Sequence, residues 1–169
     1  MIEDLTSDLE PLPEHDWLLS LAGTWDLECQ YFYGDPGDPV EITGINRART
    51  LGKFWLLEDF TFDLPAGPVR AHSATTFDPR RRIMVSTWID SALPFPYHFE
   101  GALSPDRRTV TLESTNYDPA TRSVNRFRST IRFPADSWDE RTLDFTASTP
   151  GGEVIPILHY YYQKRIKAK

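Results

Sequence analysis

Cysteine and long apolar runs are scarce in this 169-residue sequence. The single cysteine, Cys29, excludes an internal disulfide and any metal site that is built from several cysteines. No apolar run approaches the roughly 20 residues that a membrane helix needs. Residues 1–13 contain no basic residue and no apolar segment, so we expect no secretory signal there. We therefore predict a soluble, cytoplasmic protein that has no membrane partner.

Positive charge is also in short supply. The sequence has 18 Lys and Arg residues against 25 Asp and Glu residues, which gives a net charge of −7. The phosphates of nucleic acids attract basic surfaces, so this balance predicts no nucleic-acid partner. The basic run at residues 80–82 follows Asp78-Pro79, and we expect it to lie at the tip of a hairpin.

Helical patterning is confined to one segment, residues 13–22. Pro13 suits a first helical position, and Gly23 suits the position after a helix. Trp17 and Leu21 are four residues apart, so one face of this helix is apolar and could plug or cover a larger structure. Residues 1–12 are acidic and patternless, and we interpret them as a flexible arm before a single domain over residues 13–169.

Aromatic residues are abundant, and they follow a period of two. After Gly23, alternating segments are separated by turns that hold most of the 14 prolines. With no second helical run to cross over a parallel sheet, the fold class is all-β, an antiparallel up-and-down barrel of about ten strands. Both faces of residues 54–62 are apolar, which indicates a strand that is buried twice or faces a cavity. The predicted strands are near residues 25–33, 40–50, 53–62, 69–77, 82–90, 96–103, 108–115, 124–133, 141–148 and 154–165.

The segment Gly23-Thr24-Trp25, at the start of the first strand, resembles the opening of calycins. In lipocalins and their relatives, a Gly-x-Trp begins the barrel and a basic residue of the final strand packs on the indole. The resemblance implies that Arg165 is this partner of Trp25, through a cation–π contact.

A second resemblance extends from about residue 14 to residue 164. The string His15-x-x-Leu18-x-x-Leu21-x-Gly23-x-Trp25 resembles the opening of the bacterial domain-of-unknown-function family numbered 1579. This family implies a lipocalin-like barrel but brings no activity and no catalytic residue. The sequence departs from the family at Lys53 and Thr76, where glycine is common, so we expect loops of a different shape. Further segments resemble the family in the same order: Leu51-Gly52-Lys53-Phe54, Thr76-Phe77-Asp78-Pro79, Thr87-Trp88-Ile89-Asp90-Ser91 and Glu100-Gly101.

The favoured function is binding of a small, largely apolar molecule inside the barrel. Small barrels are either filled with side chains or hold one ligand. Polar residues on apolar strands would orient the polar end of that ligand, namely His98, Glu100 and His159. The predicted walls of the binding site are Trp55, Trp88, Phe99 and Tyr161.

An enzyme that isomerises or cyclises a small molecule is the alternative. His98 and Glu100 lie two residues apart on one strand face and could transfer a proton, with His72 in reserve. This hypothesis requires that face to point inward. If Tyr97 and Phe99 take the inner face instead, the two polar residues face water.

The remaining candidates have structural interpretations beside the functional ones. His159, in the last strand, could ligate a haem, although we predict no cofactor. The four histidines form no closely spaced pair, so no metal site is predicted. Cys29 is interpreted as a small buried apolar residue, and His15 as a residue that caps or packs the helix. A homodimer is a further possibility.

Three arginines share one strand face: Arg126, Arg128 and Arg132. The opposite face carries Phe127 and Ile131, so the alternation favours an outward, solvated row of arginines. Binding of a phosphate or carboxylate by this row is the alternative.

Overall fold

The computed structural model describes residues 10–32, 37–64, 67–119 and 121–165, which contain one helix and ten strands. In these ranges, no helix has the length and apolar character that crossing a membrane requires. The first nine residues of the predicted arm lie outside the described residues. The elements are α1 (Pro13–Leu19), β1 (Gly23–Tyr31), β2 (Val40–Leu51), β3 (Trp55–Leu64), β4 (Gly67–Asp78), β5 (Ile83–Asp90), β6 (Tyr97–Leu103), β7 (Thr109–Asp118), β8 (Ser123–Arg132), β9 (Glu140–Ser148) and β10 (Val154–Lys164).

Each strand pairs with the next one in an antiparallel ladder, and β1 closes the barrel on β10. Trp25 lies opposite Lys164 in this last ladder. The structure therefore confirms the predicted all-β, antiparallel, up-and-down barrel. Odd-numbered strands begin, and even-numbered strands end, at the end of the barrel next to α1, which we call the helix end. The other end, where β5 finishes at Asp90 and β7 at Asp118, is the distal end.

The helix is held on the barrel by His15. The backbone N–H of Leu12 donates to His15 Nδ1 at 2.9 Å, and His15 Nε2 donates to the carbonyl oxygen of Phe77 at 3.0 Å. The predicted capping and packing role of His15 is thus confirmed. The helix ends at Leu19, earlier than predicted, because Leu21 and Ala22 already make the tighter hydrogen bonds to residues three positions back.

The interior of the barrel is the protein core. Along β1, buried Trp25, Leu27 and Cys29 alternate with exposed Asp26 and Glu28, as the period of two predicts. The prediction that Cys29 is a buried apolar residue is confirmed.

At Gly101 two strands approach so closely that only glycine fits. A Cβ atom added to Gly101 in β6 would lie 1.8 Å from the carbonyl oxygen of Thr111 in β7. A side chain at this position would therefore push the two strands apart.

Ion pairs cover the outer face. Arg126 and Arg128 both bind Glu113, and their hydrogen bonds lower the pKa of that carboxyl group. Arg132 pairs with Asp144. The predicted outward row of arginines is therefore confirmed. The basic run at residues 80–82 lies in the turn between β4 and β5, also as predicted.

Candidate functional site

A cavity of about 640 Å³ lies inside the barrel. It extends from Trp17 and Leu18 of the helix to Leu93 and Pro119 at the distal end. Its volume falls within the roughly 300–1,000 Å³ of small-molecule pockets. The barrel interior is thus large enough for a ligand and is not filled by its own side chains.

Two groups of aromatic rings form part of the cavity walls. In the first group, Phe60 lies 4.9 Å from Trp88 and stacks on Phe62 at 5.8 Å, measured between ring centroids. In the second group, the rings of Phe127 and Phe145 stack at 5.6 Å. Aliphatic side chains form much of the remaining lining, among them Leu18, Leu21, Ile42, Leu56, Leu64, Val69, Leu93, Val110, Leu112, Ile131, Leu143, Ile157 and Leu158.

An ion pair interrupts this apolar lining. We call the pair and its polar partners the Glu58 cluster, whose members are Asn46, Glu58, Ser73 and Arg141. Asn46 Nδ2 and Arg141 Nη2 donate to Glu58 Oε1 at 2.7 and 3.0 Å. Ser73 Oγ donates to Glu58 Oε2 at 3.1 Å. The side chain of Arg141 is 4% exposed and that of Glu58 is 13% exposed, so this ion pair is far more buried than those on the outer face.

Arg141 also lies between two aromatic rings. Its guanidinium carbon is 4.5 Å from the ring centroid of Trp25 and 4.5 Å from that of Tyr162. Two atoms of the cluster, Arg141 Nε and Asn46 Oδ1, are buried without a hydrogen-bond partner. The guanidinium is therefore held by the Glu58 carboxylate and by two ring faces.

The predicted contact between Arg165 and Trp25 is wrong. Arg141 of β9 and Lys164 of β10 lie over the indole instead, with the Lys164 Nζ atom 5.3 Å from the ring centroid. The strand register explains the difference, because Trp25 is opposite Lys164 and the next residue points to the other face. Arg165 binds Asp26 there with hydrogen bonds from its Nε and Nη2 atoms, which lower the pKa of that carboxyl group.

Two further carboxylates line the distal end of the cavity. Asp90 accepts hydrogen bonds from Trp88 Nε1 at 3.0 Å and from the backbone N–H groups of Ala92 and Leu93. Asp118 accepts a hydrogen bond from Asn125 Nδ2 at 2.9 Å. The distal end therefore carries negative charge that its own neighbours hold in place.

Two of the four predicted wall residues, Trp88 and Phe99, line the cavity. The expected inward positions of Trp55 and Tyr161 are wrong. Trp55 begins β3 and is 38% exposed, because Leu56 takes the inner face beside it. Tyr161 points outward because its neighbours Tyr160 and Tyr162 are buried in the interior.

The proposed inward position of the acid–base residues is also wrong. His98 and Glu100 are exposed, because Tyr97 and Phe99 take the inner face of β6. His98 Nδ1 contacts a threonine hydroxyl of β5 at 3.2 Å. Glu100 binds Arg81 through two hydrogen bonds, which lower its pKa. His72, the reserve candidate, pairs with an aspartate on the outer face and does not line the cavity.

His159 lies on the outer face as well, so it cannot orient a ligand in the cavity. Its Nδ1 atom is 2.7 Å from Asp144 Oδ1. Its two neighbours in sequence, Leu158 and Tyr160, line the cavity. None of the four histidines, all of them described, lines the cavity, so these residues do not fit a haem ligated from inside the barrel. In the described ranges, no three His, Cys, Asp or Glu side chains are grouped to hold a metal ion.

Glu58 and Arg141 were not among the predicted site residues, although the sequence carries a signal for both. Glu58 lies two residues from Leu56 and from Phe60, and Arg141 lies two residues from Leu143. A charged residue on an otherwise apolar strand face must be paired when that face is buried. This pattern distinguishes Glu58 and Arg141 from the many charged residues that alternate with apolar ones.

The thiol of Cys29 is expected to be unreactive in the folded protein. Burial in the barrel raises its pKa to about 12, so almost no thiolate forms at pH 8. A disulfide reagent such as 5,5′-dithiobis(2-nitrobenzoate) will then label the thiol in urea but not in buffer, which absorbance at 412 nm measures. Rapid labelling of the native protein would contradict this expectation.

Sequence comparison identifies one family. The profile of the DUF1579 family, described as a protein of unknown function, matches residues 10–164. No curated protein sequence matches the chain significantly. The matched residues include the helix, all ten strands and the Glu58 cluster. The chain therefore belongs to the DUF1579 family, as its sequence motifs predicted.

Proposed function

We propose that the protein binds a small, largely apolar molecule in the barrel cavity. The observation that carries this proposal is the cavity of about 640 Å³ with its mainly aromatic and aliphatic walls. Such walls offer few hydrogen bonds to water, so water is held weakly there. An apolar ligand gains about 25 cal/mol for each Å² of its surface that leaves water. The cavity is therefore suited to a hydrophobic guest.

Catalysis is not part of this proposal. The three residues considered for acid–base chemistry, His72, His98 and Glu100, lie outside the cavity. The ionisable side chains that line it are Glu58, Asp90, Asp118, Arg141 and the tyrosines. Burial raises the pKa of Tyr160 and Tyr162, which keeps both hydroxyls protonated.

A cavity-filling variant tests the proposal. Ser129 lines the cavity between Phe127 and Ile131, whereas the next residue, Thr130, does not line it. We expect the neutral fluorescent probe N-phenyl-1-naphthylamine to bind the protein and to brighten in the apolar site. Ser129→Phe will weaken this binding at least about tenfold, because the new ring occupies ligand space. Fluorescence titration gives the dissociation constants.

Thr130→Phe is the matched control, since it adds the same ring to the same strand on the outer face. It should leave the dissociation constant of the probe unchanged. Thermal unfolding of both variants verifies that they fold. The proposal is wrong if the probe does not bind, or if the two variants weaken its binding equally.

A further inference from the structure

We infer that the ligand is an uncharged hydrophobe with a hydroxyl group, and that this hydroxyl donates a hydrogen bond to the Glu58 carboxylate inside the cavity. The inference rests on the proposed function and defines the chemical class of the ligand. The apolar part of the ligand would lie between the two groups of aromatic rings.

The first argument is the unused hydrogen-bonding capacity of Glu58. A carboxylate has about four positions at which it accepts hydrogen bonds. Oε1 accepts from Asn46 and Arg141, and Oε2 accepts from Ser73. One of the hydrogen-bonding positions on Oε2 is therefore unoccupied. Because Glu58 lines the cavity, a donor on a bound ligand can fill this position.

The second argument concerns which member of the ion pair faces the ligand. The side chain of Glu58 is more exposed than that of Arg141, 13% against 4%. The unpaired Nε atom of Arg141 has almost no accessible surface, and the guanidinium is covered by Trp25 and Tyr162. The cluster therefore presents a hydrogen-bond acceptor to the cavity and shields its strongest donor. A carbonyl or ether oxygen would find no partner at Glu58.

The third argument concerns charge. Glu58 and Arg141 neutralise each other, so the cluster has no net charge to compensate a buried ion. A ligand carboxylate would meet the carboxylate of Glu58 inside the cavity, and those of Asp90 and Asp118 at the distal end. A ligand ammonium at the cluster would lose its hydration and meet a carboxylate that Arg141 already neutralises. An uncharged hydroxyl avoids both costs.

Three ligands with the same alkyl chain separate these possibilities. Decan-1-ol can donate a hydrogen bond, 1-methoxydecane can only accept one, and decanoate is an anion at pH 7.5. Each displaces N-phenyl-1-naphthylamine from the protein in a competition titration. We expect decan-1-ol to bind at least about tenfold more tightly than either of the others, since a hydrogen bond to a charged group has this effect.

Glu58→Gln tests the residue itself. This variant removes the negative charge and leaves the Arg141 guanidinium without its counterion. We expect the preference for decan-1-ol over 1-methoxydecane to shrink and the affinity for decanoate to rise at least about tenfold. Glu100→Gln is the matched control, because Glu100 is also paired with an arginine but lies on the outer face. Its ligand preferences should equal those of the unmodified protein.

The outcomes distinguish the inference from the proposed function. If 1-methoxydecane or decanoate binds the unmodified protein as tightly as decan-1-ol, the inference is overturned and apolar binding stands. If neither the probe nor any of the three ligands binds, the proposed function itself fails. If Glu58→Gln does not fold, the order of the three ligands on the unmodified protein still decides the inference.

Discussion

Arg141→Ala is expected to lower the free energy of unfolding by about 3–5 kcal/mol. The substitution leaves the buried Glu58 carboxylate without its counterion, while Asn46 and Ser73 remain as hydrogen-bond donors to it. It also removes the guanidinium from between the rings of Trp25 and Tyr162. Urea denaturation followed by circular dichroism measures the loss.

The matched control for this variant is Arg81→Ala. Arg81 binds Glu100 with two hydrogen bonds, but both side chains are about half exposed. Water therefore solvates Glu100 when Arg81 is removed, and the unfolding midpoint should hardly change.

Adding Glu58→Gln to Arg141→Ala should recover part of the lost stability, because it removes the unpaired buried charge of Glu58. Equal losses of stability for Arg141→Ala and Arg81→Ala would show that burial of the Glu58–Arg141 pair does not determine how much the pair stabilises the fold.

Trp25→Ala is expected to cost about 3–5 kcal/mol of unfolding free energy. The Trp25 side chain is fully buried, and its Nε1 atom donates a hydrogen bond to the carbonyl oxygen of Leu21 at 3.0 Å. Alanine would leave a void below Arg141 and an unpaired carbonyl in the link between α1 and β1. Denaturant unfolding, again followed by circular dichroism, measures this change.

Trp138→Ala provides the corresponding exposed control. Trp138 is 43% exposed, and the Arg108 guanidinium carbon lies 3.6 Å from its ring centroid. Trp138→Ala should lower the free energy of unfolding by no more than about 1 kcal/mol. Since Trp25 and Arg141 are in contact, their double variant should lose less stability than the two single variants together. Full additivity of the two losses would contradict the described packing of guanidinium on indole.

The order and the approximate bounds of the strands could be predicted because their signals are local. Alternation of apolar and polar residues marks a strand such as β1, and turn residues such as Asp78-Pro79 mark where a strand ends, here β4. The absence of a second helical segment then left antiparallel pairing as the consistent choice. The structure follows this scheme from Gly23 to Lys164.

The orientation of some side chains could not be predicted in the same way. In β10, three consecutive tyrosines at residues 160–162 make both strand faces aromatic, so their pattern does not indicate which face is the inner one. Only the register against β1 decides this, and it places Tyr161 outside. Trp55 was assigned wrongly for the same reason, since Leu56 and Leu57 follow it with one apolar residue on each face.

The contact between Glu58 and Arg141 is nonlocal in two ways. The residues are 83 positions apart in sequence, and β2, β1 and β10 lie between their strands in the barrel order. They meet across the interior, not along a ladder. Strand patterns could place each residue on an inner face, but only the closed barrel brings their side chains together.

Pairing of β1 with β10 also imposes an order on biosynthesis. Asp26 and Arg165, which join these strands, are 139 residues apart, so β1 emerges from the ribosome long before its second neighbour exists. At about 5–20 residues per second, the nascent chain spends about 7–28 seconds with one edge of β1 unpaired. The carboxylates of Asp26 and Glu28 project from that strand, and charge of this kind opposes pairing between chains. We therefore expect the acidic outer face of β1 to oppose aggregation of the growing polypeptide until β10 completes the ring.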